Sequence, residues 1–249
     1  MQAKTFGAAL FPLLLISVMA AAQDHRCEAP DYFVQPYFKT TDAAHRLRAT
    51  KALDIMVLSS MPSQTRSGEK LTSYPSFLEG ALKERLPNYE IRVSIHSEAR
   101  KSIHEILGAL PAALEKNKPS LVVWQTVTVE ALMGMDADKF ERKLERGIQI
   151  IRASGADVIL VNPQFSPRTS FISNSGSLNE RIRRVAAYSD VSLFNRYDLM
   201  RHWSENESFD FAALKNDGTF EAVHRCLGRL LAEYISRAAS FPEVAKLPQ

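Results

Sequence analysis

Short apolar runs alternate along this chain with longer amphipathic stretches. Residues 53–58, 91–95, 121–124, 158–161 and 191–194 are brief runs rich in Val, Ile and Leu, the signature of strands. Between them apolar residues return at helical spacing. Phe77, Leu78, Ala81, Leu82 and Leu86 share one face of a helix over 74–86. Ile103, Ile106, Leu107, Leu110 and Leu114 do the same over 102–115, with Pro111 placed to kink it. Helices are also predicted over 43–49, 138–153, 177–188 and 220–238, the second capped by Asp136 or Asp138 and stopped by Gly155. Strands that are apolar on both faces and separated by helices predict one parallel sheet covered on both sides. With right-handed crossovers, that is an α/β three-layer sandwich around a five-stranded, doubly wound sheet. Ligands of such sheets bind beyond the C-terminal strand ends. The chemistry is therefore expected in the segments 59–73, 96–101, 125–135, 162–177 and 197–220.

The N-terminus follows another pattern. Lys4, an apolar stretch over 6–19 and Ala20-Ala21-Ala22 read as a secretory signal over residues 1–22. A membrane anchor is the weaker reading, because the run is short for a bilayer span and polar chain follows at once. Residues 23–249 then form a single exported domain, periplasmic or secreted, with no stable membrane span after cleavage. Export favours a disulfide between Cys27 and Cys226, which stand near the two ends of the mature chain; two free buried thiols are the alternative.

Composition narrows the function classes. Thirty-one basic against 28 acidic residues leave a net charge of +3, which does not call for nucleic acid or an anionic membrane as partner. Two cysteines cannot build a disulfide-dense scaffold or a four-cysteine zinc site. His96 and His104 are a poor metal pair, and neither a dinucleotide-binding glycine motif nor a P-loop occurs, so no cofactor is expected.

Order and spacing carry a further signal. Ile55-Met56-Val57-Leu58-Ser59-Ser60-Met61-Pro62-Ser63, the helix at Tyr74-Pro75-Ser76-Phe77-Leu78, Pro119-Ser120-Leu121-Val122-Val123-Trp124-Gln125, Gly155-Ala156-Asp157-Val158-Ile159-Leu160, Met200-Arg201-His202-Trp203 and Cys226-Leu227 succeed one another over about 200 residues. The chain thereby resembles the SGNH/GDSL hydrolase superfamily, in particular a secreted bacterial branch, and the resemblance implies a flavodoxin-like sandwich and acyl-ester hydrolysis. That chemistry uses a serine at the end of the first strand and a late histidine held by an aspartate three residues before it. The oxyanion is held by the serine amide, a second-block glycine amide and a third-block asparagine.

Every implied side-chain position but the aspartate carries a different residue here. Met61 stands at the nucleophile of a Gly-x-Ser loop, and a thioether cannot form an acyl-enzyme. The second-block glycine falls at or next to Lys101. The third block, normally Gly-x-Asn, reads Val127-Thr128-Val129, so Val129 replaces the amide donor. In the last block Asp217 is kept and Phe220 replaces the base. The expectation is a pseudo-hydrolase: an inactive scaffold binding an exported envelope component, either an acylated polysaccharide or a protein. The alternative is an active serine esterase with a displaced pair, Ser60 and His224. Arg100, Lys101, Glu130 and Asp217 are expected at the rim of the crevice, where they either solvate an unused loop or bind a polar or anionic ligand.

Overall fold

A computed structural model describes residues 26–60, 72–167, 175–212 and 218–240. The predicted leader, Met61 and Asp217 lie outside these described residues. The sheet has five strands, β1 (Ala52–Ser59), β2 (Glu90–Ser97), β3 (Leu121–Gln125), β4 (Asp157–Val161) and β5 (Ser192–Phe194). Their spatial order is β2-β1-β3-β4-β5, and every pairing is parallel. Register sets Ile55 opposite Val93 and Leu121, Val122 opposite Met56 and Val158, and Leu160 opposite Leu193. The sheet reverses direction of growth between β1 and β3, which opens a crevice at their C-terminal ends.

Among the described residues eight α-helices cover the sheet: α1 (Thr41–Thr50), α2 (Tyr74–Arg85), α3 (Ile103–Asn117), α4 (Thr128–Leu132), α5 (Ala137–Ala153), α6 (Ser175–Tyr188), α7 (Arg196–Glu205) and α8 (Thr219–Ala238). Successive strand residues point to opposite faces, so each strand feeds two cores. Ile55, Val57, Leu121, Val123, Ile159 and Val161 pack with α1, α2, α7 and α8. Met56, Leu58, Val122, Trp124, Val158 and Leu160 pack with α3, α5 and α6. Double burial is why β1, β3 and β4 read as continuous apolar runs. The edge strand β2 has one covered side and alternates instead. Pro111 lies inside α3, which continues through it to Asn117. The segment 197–220, expected to carry site chemistry, is helical at its start, from Arg196 to Glu205. Leu199, Met200 and Trp203 form its buried stripe.

Two devices fix the helices next to the crevice. Helices α2 and α8 meet at Gly228, where an added Cβ would lie 2.7 Å from the Phe77 Cβ and 2.9 Å from the Tyr74 carbonyl oxygen. Only a glycine lets the two helices approach this closely. A disulfide joins Cys27 to Cys226 with Cα atoms 5.1 Å apart, tying the N-terminal arm to the middle of α8. The indole N–H of Trp203 donates to the Glu28 carbonyl beside that bridge. Among the described residues no helix is long and apolar enough to cross a membrane.

Candidate functional site

Strand β1 ends at Ser59, and Ser60 follows; both are buried. Their carbonyls are occupied, Ser59 accepting from the Glu98 amide and Ser60 from the Arg100 amide, each at 2.9 Å. These two bonds stitch the turn after β2 onto the end of β1. They also consume the Glu98 and Arg100 amides of the second block. The Lys101 amide is spent as well, on the Glu98 carbonyl at 3.0 Å, while its ammonium turns outward to Glu105 at 3.1 Å. Neither amide is left to face an oxyanion.

Backbone conformation at the two family glycine positions is informative. Arg100, beside Lys101, has φ 62°, and Val127, at the head of the third block, has φ 83°. Both are left-handed conformations that glycine adopts freely and that cost a β-branched residue about 1–3 kcal/mol. Each bend is one that a glycine would adopt without strain. Val127 is fully buried and precedes α4, so packing holds the strained bend in place. Val129, the second residue of α4, is half-buried and has no side-chain donor. Glu130 is buried and does not line an open rim. Its Oε1 accepts from the Ile103 amide at 2.6 Å, capping α3 together with the Ser102–Glu105 capping box, and its Oε2 has no partner. Burial raises its pKa.

The N-terminal turns of α2 and α8 bring together Tyr74, Phe220 and His224. Ser73 gives α2 no side-chain cap. Instead the Tyr74 amide donates to Nδ1 of His224 at 3.1 Å. Gly228, one helical turn beyond His224, makes room for this contact by letting the Tyr74 backbone approach. An Nδ1 that accepts from an amide holds its lone pair there, so the neutral ring carries its proton on Nε2. Burial first, and the positive charge of Arg196 second, push the His224 pKa down to about 4. The Tyr74 ring stacks parallel to His224 at 6.3 Å, and the Phe220 ring leans on it at 4.2 Å. Phe220 itself is 45 % exposed.

A third cluster, absent from the sequence reading, lies at the ends of β3, β4 and β5. Arg196 opens α7 and is 2 % exposed. Its Nε donates to the Asn162 carbonyl at 3.1 Å and its Nη1 to Gln125 Oε1 at 3.0 Å. Its Nη2 has no partner, and its guanidinium stands 5.8 Å from the Tyr74 ring centroid. Among the described residues no carboxylate pairs with it. Burial lowers its pKa to about 10, so it stays charged at neutral pH. Asn162 continues the network, donating from Nδ2 to Asn179 and Asn195 and accepting from the Tyr197 amide at Oδ1. The Tyr74 and Thr126 hydroxyls are also buried without a partner, and burial lifts Tyr74 to about 12. Gln125 at a strand end and the polar pair Asn195-Arg196 directly after a strand were the only available signals of this cluster.

The structure therefore brings His224 and Phe220 together against Tyr74. It makes no hydrogen bond between Ser60 and His224, and it turns Lys101 to solvent. Among the described residues no group of three His, Cys, Asp or Glu side chains could hold a metal ion.

Solved structures with the same architecture include TesA, at 21 % identity, covering 74 % of this chain and 99 % of that one with a TM-score of 0.56. Another is Axe2, an acetylxylan esterase from Geobacillus stearothermophilus, at 14 % identity, covering 78 % and 96 % with a TM-score of 0.60. These likenesses are of fold. A comparison with curated proteins by sequence finds no significant match. The sequence profile of the non-GDSL lipase-like family matches residues 26–241. That span takes in every strand, the disulfide and the whole of α8, and on it the chain belongs to the non-GDSL lipase-like family, an SGNH/GDSL-hydrolase-like fold.

Proposed function

We propose that this chain is an exported, catalytically silent member of its lineage, acting as a binding or accessory module for an envelope component. The observation that carries this reading is the Tyr74 amide on His224 Nδ1. A serine hydrolase needs the opposite tautomer, with Nδ1–H held by a carboxylate and a free lone pair on Nε2 to take the serine proton. Here Nε2 carries the proton and the ring is a weak base, with a pKa of about 4. The spent amides of Arg100 and Lys101 agree with it, since neither is left for an oxyanion. Removing one such donor alone costs about 100- to 1000-fold in turnover.

Export is supported by the leader-like residues 1–22 and by the Cys27–Cys226 bridge, which an oxidising compartment maintains. An acylated polysaccharide is the favoured ligand class, in keeping with the acetylxylan esterase of similar fold. The test is turnover of p-nitrophenyl acetate and labelling by a serine-reactive fluorophosphonate, using the mature chain prepared from the periplasm. The expected result is neither turnover nor label above buffer. Turnover that disappears in both Ser60→Ala and His224→Ala overturns the proposal and establishes a displaced-pair esterase.

A further inference from the structure

Arg196 is a full positive charge, 2 % exposed, with no carboxylate opposite it among the described residues. Its two engaged nitrogens meet neutral acceptors, a backbone carbonyl and an amide oxygen. Those bonds fix the plane of the guanidinium without neutralising it. Burying a charge unpaired is costly, and buried charges are ordinarily paired. The Tyr74 ring face at 5.8 Å offers a cation–π contact but no acceptor for the remaining N–H groups.

The orphaned donors gather around this charge. Nη2 of Arg196 and the hydroxyl of Tyr74 are both buried without a partner. The Nε2–H of His224 lies on the ring stacked beside Tyr74 and has no acceptor among the described residues. Three donor side chains with no anion among them, set at the crevice end of a doubly wound sheet, form an oxyanion-binding constellation. The Phe220 ring, 45 % exposed, rests on His224 at the outer side of this cluster.

We infer that Arg196, Tyr74 and His224 form a binding site for a small oxyanion group, a carboxylate or a phosphate, at the floor of the crevice. The site asks nothing of a nucleophile and stands whether or not the crevice hydrolyses esters. Arg196 supplies the charge, and Tyr74 and His224 supply neutral hydrogen bonds that select an oxygen-bearing anion over chloride.

The experiment is calorimetric titration and thermal melting of the disulfide-bonded mature chain with sodium phosphate or sodium acetate, against sodium chloride at matched ionic strength. The wild type is expected to bind at least one of the two oxyanions and to melt higher in it than in chloride. Binding of acetate over phosphate assigns a carboxylate ligand, and the reverse assigns a phosphate. Tyr74→Phe removes only a hydroxyl that nothing in the fold uses, so it should melt like wild type in chloride and bind about tenfold more weakly. Arg196→Met should abolish binding; if that chain does not fold, Tyr74→Phe decides. Equal effects of oxyanion and chloride on the wild type overturn the inference, and so does undiminished binding by Tyr74→Phe. Neither result bears on the turnover assay, so the two proposals fail separately.

Discussion

Lowering the pH should destabilise this protein through one residue, His224. Its folded pKa is about 4, below the ordinary 6.5, because burial and Arg196 oppose a second proton. Well above pH 6.5 neither the folded nor the unfolded chain protonates this ring, and its contribution to stability is fully present. As the pH falls through 6.5 the unfolded chain takes up a proton that the folded chain refuses, so stability is lost until the pH reaches about 4. A shift of this size corresponds to roughly 3 kcal/mol when fully developed, and to about 2 kcal/mol at pH 5. The cost has a definite origin, since a protonated Nδ1 would face the Tyr74 amide donor to donor. The assay is urea unfolding at pH 7.5 and pH 5, on the wild type and on His224→Gln. A glutamine oxygen can still accept from the Tyr74 amide but does not titrate. The carboxyls of buried Glu130 and half-buried Asp157, both raised by desolvation, favour the folded state as the pH falls, but they are common to both chains and cancel in the difference. The wild type should lose about 2 kcal/mol more than the variant between the two pH values. Equal losses would refute the assigned tautomer, and with it the main argument against His224 as a base.

Two further predictions concern the frame around the site. The double variant Cys27→Ser, Cys226→Ser opens a bridge across 199 residues and should cost about 2–5 kcal/mol, read as a lower urea midpoint; an unchanged midpoint argues that the bond does not constrain the folded chain. Gly228→Ala places a methyl group against Phe77 and the Tyr74 carbonyl and should cost about 1–3 kcal/mol, read by thermal unfolding. An unaltered melting temperature in Gly228→Ala would mean that α2 and α8 are not packed this tightly.

The sequence by itself determined the sheet and its cover. Periodicity is a local property, and strands buried on both faces show it as apolar runs, broken in 53–58 only by Asp54, so 53–58, 121–124 and 158–161 were legible without tertiary information. The helix from Arg196 to Glu205 was only partly legible, because its buried stripe is three residues long and charged side chains interrupt it. The replaced family positions could likewise be read from residue order. What they became could not. Lys101 is drawn outward by Glu105 and its amide is spent on the local turn to Glu98, whereas whether the Arg100 amide is free depends on a Ser60 carbonyl brought from the end of β1. In the sequence His224 is a single histidine within the closing helix 220–238. Its tautomer follows from an amide 150 residues earlier, and that contact exists because Gly228 lets two helices touch. Arg196 gave even less away, since an arginine after a strand is ordinarily solvated. Only closing β3, β4 and α7 around it removes the water and leaves a charge with neutral partners. Local pattern sets which elements form; proton positions and uncompensated charges depend on burial and on distant partners, and those are properties of the assembled sheet alone.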